Sequence, residues 1–245
     1  MPRGKGTSHG STGTPGARRA RGLALACAAV AGIARADRWQ RGWGATLAEQ
    51  ARDLPGDDLI PYPRLQATRA IAIAAQPRAV WPWLIQMGQD KGGFYSYDAL
   101  ENLVGLSIHS ADAIVPEWQD LAVGDAVRLA PGMDLEVRLL DRPRALVLFA
   151  DGPMPPATAD DDAPTLRFSW SFVLDSEGPA DSRLAIRERY SWDSGVTALK
   201  FWAIEWVSFA MTQRMLRGIR SRAEGRDGPS VEVPRAGVET NGQVL

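Results

Sequence analysis

From Val123 to Trp192 the apolar residues of this chain recur at every second position, whereas over Pro77 to Leu106 they recur at helical spacing. Thr165 to Leu174 is the plainest strand. Leu166, Phe168, Trp170, Phe172 and Leu174 share one face, and Arg167, Ser169 and Ser171 share the other. Arg183 to Trp192 repeats the pattern, with Leu184, Ile186, Glu188, Tyr190 and Trp192 opposite Arg183, Arg187 and Arg189. Asp125 to Leu129, Asp134 to Leu140 and Arg144 to Ala150 are three further strands, separated by the turn sequences Pro131-Gly132 and Asp141-Arg142-Pro143. Long strands with one apolar and one polar face predict an antiparallel sheet that is wet on one side.

Leu65 to Ala74 predicts a first strand, followed by a helix over Pro77 to Met87 whose apolar face holds Val80, Trp81, Leu84, Ile85 and Met87. A second helix is expected from Asp98 to Leu106. Thr197 to about Ala223 predicts a long helix, with Leu199, Trp202, Trp206, Phe209, Gln213, Leu216 and Arg220 recurring at three- and four-residue steps. Its first half is apolar nearly all round, which predicts deep burial. These elements define an α+β fold: a curved antiparallel sheet wrapped around a long C-terminal helix, with two short helices after the first strand. The sheet's apolar face needs a cover, and only the last helix is large enough to provide it. A curled sheet gripping one cylinder leaves room between them, and that space is the expected ligand site.

Four regions follow. Residues 1–36 are a basic leader, signal-like or disordered; 37–63 are an arm; 64–224 are the domain; 225–245 are a flexible tail. Within the arm, Thr46 and Glu49 stand in capping-box positions, and Leu54-Pro55-Gly56-Asp57-Asp58 is turn chemistry. In the leader, Arg18-Arg19-Ala20-Arg21 precede an apolar run from Gly22 to Ala34 and then Ala34-Arg35-Ala36, as in an export signal. The run is too short to span a bilayer. A cytoplasmic location is expected, with export or membrane contact through residues 1–36 as the alternative.

The net charge is −1, but the leader's six basic residues stand without an acid, so the body is acidic. An acidic body is poorly suited to the phosphate neutralisation on which nucleic-acid binding rests, and no nucleic-acid partner is expected. Cys27 is the only cysteine, which excludes an internal disulfide and a cysteine-based zinc site. The chain has no nucleophile elbow, no phosphate-binding loop, no strand-linked dinucleotide fingerprint and no paired-histidine zinc motif. No cofactor and no metal are implied.

The order of elements resembles the helix-grip fold of the START, Bet v 1 and polyketide cyclase superfamily, SRPBCC. The local match is closer still to a bacterial subgroup of it without an assigned activity. It is carried by Trp43-Gly44-Ala45-Thr46, Ala79-Val80-Trp81-Pro82-Trp83-Leu84, Gly92-Gly93-Phe94-Tyr95-Ser96-Tyr97-Asp98, Ile108-His109-Ser110-Ala111-Asp112 and Ile114-Val115-Pro116-Glu117-Trp118-Gln119. It covers about residues 43 to 224, and departs mainly in the leader and in the loop at 151 to 164. The resemblance implies an apolar cavity for lipids, sterols, polyketides or similar molecules, with only some members catalytic.

Two residues are candidates for catalysis. His109 is the only histidine in the domain and suits acid/base work near neutral pH, although it could equally cap a turn or bond Asp112. Glu188 shares the apolar face of its strand and must pair, hydrogen-bond or take up a proton there; a cavity acid and a structural ion pair are the two readings. Asp98, Glu101, Asp112 and Glu117 are read as caps in preference to a cation site. Tyr95, Tyr97, Trp118, Phe168, Trp170, Glu188, Tyr190, Trp202 and Trp206 are the expected ligand-binding residues, because large aromatics with one polar handle suit an amphipathic guest. The expected function is therefore binding of a hydrophobic or amphipathic small molecule. The alternatives are a cyclase, dehydratase or hydrolase using Glu188 or His109, and an exported or membrane-attached protein of structural role.

Overall fold

Each segment of period-two sequence forms a strand: β1 (Leu65–Ile73), β2 (Ala126–Ala130), β3 (Met133–Asp141), β4 (Ala145–Pro153), β5 (Thr165–Ser176) and β6 (Ser182–Trp192). They form one curved, open antiparallel sheet in the order β1-β6-β5-β4-β3-β2. This is a computed structural model, and it describes residues 15–97, 109–153, 165–193 and 198–225. The expected helix over Asp98 to Leu106, most of the loop at 151 to 164 and the tail beyond Gly225 lie outside the described residues.

The chain divides into two compact units, Met1–Arg41 and Gly42–Leu245. In the first, α1 (Pro15–Arg41) runs through most of the leader and past its expected end at residue 36. The local reason for this helix is its alanine content: Ala24, Ala26, Ala28, Ala29, Ala31, Ala34 and Ala36 supply the strongest helix former. No helix among the described residues is long and apolar enough to cross a membrane.

In the second unit, α2 (Leu47–Ala51) carries the expected capping box. The Thr46 hydroxyl accepts from the Glu49 amide at 3.1 Å, and the Glu49 carboxylate accepts from the Thr46 amide at 2.6 Å. Helix α3 (Pro77–Ile85) follows β1, and α4 (Ala198–Ala223) closes the domain, packing on both α3 and β1. The β2–β3 hairpin turns through Pro131-Gly132, with Gly132 at φ +76°, a conformation that favours glycine. Irregularities in β2 and β3 shift the pairing and bend that end of the sheet. The core lies on the inner face, where Phe172, Leu174, Leu184 and Ile186 meet Leu216 and Ile219 of α4.

The outer face corrects the expectation of a wet surface. Ser169, Ser171 and Arg187 are buried under the arm. Arg187 spends all five of its N–H donors there. Nε donates to Thr68, Nη1 to the Arg52 carbonyl and the Asp57 carboxylate, and Nη2 to the Glu49 and Gln50 carbonyls. Three of these acceptors are the carbonyls left unbonded at the end of α2, so the guanidinium also caps that helix. Arg183 grips Glu49 at 2.7 and 2.9 Å, and Arg189 donates to the Asp57 and Ile60 carbonyls. Gly56, at φ +88°, presses on Val147, and a Cβ there would lie 2.5 Å from Val147 Cγ1.

Two predictions follow from the arm. Replacing Arg187 by methionine leaves three carbonyls unpaired and reduces Asp57 to its contacts with Arg189 and the Leu54 amide, and should lower the unfolding free energy by about 3–5 kcal/mol in urea titration. A loss under about 1 kcal/mol would show that the arm is not anchored this way. The second concerns acid. Hydrogen bonding from Arg183, against the opposing effect of burial and helped by Thr46, lowers the Glu49 carboxyl from 4.5 to about 2. A carboxyl lowered on folding adds stability above pH 4.5, and that contribution disappears as pH falls toward 2. The urea midpoint should fall across this window, and Glu49→Gln should flatten the fall.

Candidate functional site

A cavity of about 510 Å³ lies between the inner face of the sheet and α4. Leu129, Met133, Leu166, Phe168 and Trp170 line its sheet side, and Phe201, Ile204, Val207, Met211 and Met215 line its helix side. Alternation along β5 aims Phe168 and Trp170 inward, where Phe168 stacks on Tyr190 at 4.5 Å between ring centres and Trp170 meets Phe94 at 6.1 Å. Ile204 and Val207 are themselves exposed, and mark the side on which the cavity opens.

Besides Ser96, a polar cluster around Glu188 interrupts this apolar lining. Glu188 of β6 is buried, and all four acceptor directions of its carboxylate are filled. Oε1 accepts from Arg69 Nη1 at 3.0 Å and from the Thr212 hydroxyl at 2.7 Å; Oε2 accepts from the Tyr190 hydroxyl at 3.1 Å and from the Ser208 hydroxyl at 2.7 Å. Burial alone would push the carboxyl up, but the Arg69 charge and the Ser208, Thr212 and Tyr190 hydroxyls outweigh it and hold the group below its ordinary value. Glu188 is thus ionised at neutral pH. Burial, and then the Glu188 charge, push the Tyr190 hydroxyl well above its usual value, so it stays protonated.

The expected ligand residues divide by position. Phe168, Trp170, Glu188 and Tyr190 come together in the lining. Tyr95 is buried beside α3, where its hydroxyl donates to the Trp83 carbonyl at 3.1 Å. Tyr97 is exposed, and Trp118 is half-buried in a short turn at Pro116–Trp118. Trp202 is exposed and Trp206 half-buried; they contact each other at 6.2 Å and stand outside the lining. The buried side of α4 runs through Phe201, Glu205, Phe209, Thr212, Met215, Leu216 and Ile219, rotated from the expected stripe through Trp202, Trp206 and Gln213. A helix apolar on all sides gives periodicity no single face to select. His109 is exposed and lies outside the lining, and Asp112 pairs with Arg222 at 2.8 Å. Asp98 and Glu101 are outside the described residues.

Sequence reasoning missed Arg69, Ser208 and Thr212. Arg69 had a signal: in β1 it alternates onto the face of Ala67, Ile71 and Ile73, so a cation was due on the same inner surface as Glu188. Ser208 and Thr212 stand four residues apart on α4, and only the contact with Glu188 gives them a role.

The sheet and the gripped terminal helix define a helix-grip fold. No family model matches the chain, and no curated protein matches it in sequence. Among solved structures, the chain is similar to a hypothetical protein, jhp0584, of Helicobacter pylori (14% identity, 73% of this chain and 99% of that one, TM-score 0.42). It is also similar to protein MLL2253 of Mesorhizobium loti (16% identity, 66% and 99%, TM-score 0.40). A third likeness is to DynU16, a protein of the dynemicin biosynthetic locus (12% identity, 62% and 46%, TM-score 0.33). At these scores the likenesses carry no argument about what the cavity holds.

Removing Glu188 tests the cluster. Glu188→Ala leaves Arg69 buried without its carboxylate, and should cost about 3–5 kcal/mol in urea unfolding, whereas Glu188→Leu combined with Arg69→Met should recover most of that loss. Equal destabilisation by the single and double variants would show that the pair is not coupled.

Proposed function

We propose that the domain is an SRPBCC-like binding module that holds a hydrophobic or amphipathic small molecule, a lipid, polyketide or similar compound, between the sheet and α4. The carrying observation is the cavity of about 510 Å³, apolar over most of its lining and polar at Ser96 and the Glu188 cluster. Its volume falls within the range of about 300–1,000 Å³ common for small-molecule sites. Apolar walls stabilise a guest in proportion to the hydrocarbon area they remove from water, and a single polar cluster fixes its orientation. The acid/base reading gains no support from this geometry. His109 stands off the lining, and Glu188 is an ionised carboxylate with no acceptor direction left for a substrate proton.

Native mass spectrometry of protein purified from its source should reveal a co-purifying apolar compound, and Nile red should become fluorescent on mixing with the emptied protein. Met211→Trp places an indole inside the cavity and should weaken dye uptake by about tenfold or more while the circular dichroism melt changes little. Absence of both a co-purified compound and dye uptake would overturn the reading.

A further inference from the structure

The cluster at Glu188 has a polarity that follows from counting its hydrogens. A serine, threonine or tyrosine hydroxyl has one hydrogen to donate and two lone pairs to offer. A carboxylate oxygen can only accept, so the contacts of Ser208, Thr212 and Tyr190 with Glu188 each consume the hydroxyl's single hydrogen. Arg69 fills the remaining direction. Arg69 is not part of the lining, so what faces the cavity from this cluster is hydroxyl oxygen lone pairs, with no O–H left to give. Tyr190 and Ser208 are only half-buried and both belong to the lining, so their lone pairs are within reach of a guest. The Glu188 charge is balanced by Arg69, which removes the attraction an uncompensated carboxylate would exert on a cation.

We infer that the guest meets this cluster with a neutral hydrogen-bond donor, a hydroxyl on a hydrophobic body, and that carboxylate and carbonyl head groups are disfavoured. The inference rests on the reading of the cavity as a ligand site and specifies its chemistry. A carboxylate placed there would lose its water and find only other acceptors, and a ketone oxygen would meet lone pairs in the same way. A hydroxyl would donate to Ser208 or Tyr190 and complete an ordered chain of hydrogen bonds ending on Glu188.

The test is displacement of Nile red from the full-length protein at neutral pH by dodecanol, by the methyl ketone of the same chain length and by dodecanoate. Dodecanol should bind roughly tenfold or more tightly than either of the others, the size expected when one buried hydrogen bond is made or refused. Ser208→Ala keeps the Glu188–Arg69 pair and removes one accepting oxygen. It should weaken dodecanol by roughly threefold or more and leave the ketone unchanged. Ketone or dodecanoate binding as tightly as dodecanol would overturn the head-group assignment and leave the cavity reading intact, as would a Ser208→Ala variant that weakens all three alike. If the dye is not taken up, or none of the three displaces it, the cavity reading falls and takes the assignment with it.

Discussion

Strand β6 buries two opposite charges on consecutive residues, and the layers on either side of the sheet are attached through them. Arg187 points outward and is enclosed by the arm; Glu188 points inward and is enclosed by β1 and α4. An isolated charge of either sign would be too costly to bury, so each must recruit a complete set of partners. Apart from Tyr190, two residues from Glu188, those partners come from other elements of the chain. Arg187 draws in carbonyls and a carboxylate from 49 to 57, and Glu188 draws in Arg69, Ser208 and Thr212. Both sets depend on the sheet first bringing β1 beside β6, which places Thr68 by Arg187 and Arg69 by Glu188.

The cavity follows from the same arrangement. The polar contacts of Glu188 hold α4 against β6, while Leu129 and Met133 at the irregular β2–β3 end of the sheet face α4 across the cavity. Between these two constraints the aromatic side chains of β5 and the methionines of α4 line space without filling it. Because the charge inside is balanced and the Glu188 carboxylate is fully hydrogen-bonded, most of the remaining surface is close to that of a hydrocarbon pocket.

Much of this was legible from alternation alone. Period-two spacing located the strands to within a few residues and placed Glu188, Phe168, Trp170 and Tyr190 on the inner face. The outer face misled, because Arg183, Arg187 and Arg189 opposite apolar residues normally denote solvent. Only the tertiary meeting with Glu49, Asp57 and the end of α2 makes that row interior, and nothing local to β6 announces it. On α4 the difficulty was different. Tryptophan drew attention to Trp202 and Trp206, but the residues facing the cavity are the plainer Ile204, Met211 and Met215. Arg69 is legible in the alternation of β1, which sets it on the face of Ala67, Ile71 and Ile73.

The adjacency of Arg187 and Glu188 also guards the alignment of the strands. Were β6 to slide by a single residue, every side chain would change sides, and Arg187 would be brought toward Arg69 while Glu188 turned toward Asp57. Each mispaired arrangement would then confront like with like in a dry interior, so the wrong pairing is penalised on both surfaces at once. The two neighbours thereby do for this sheet what a keyed connector does for a plug: they admit one orientation and repel its nearest rival.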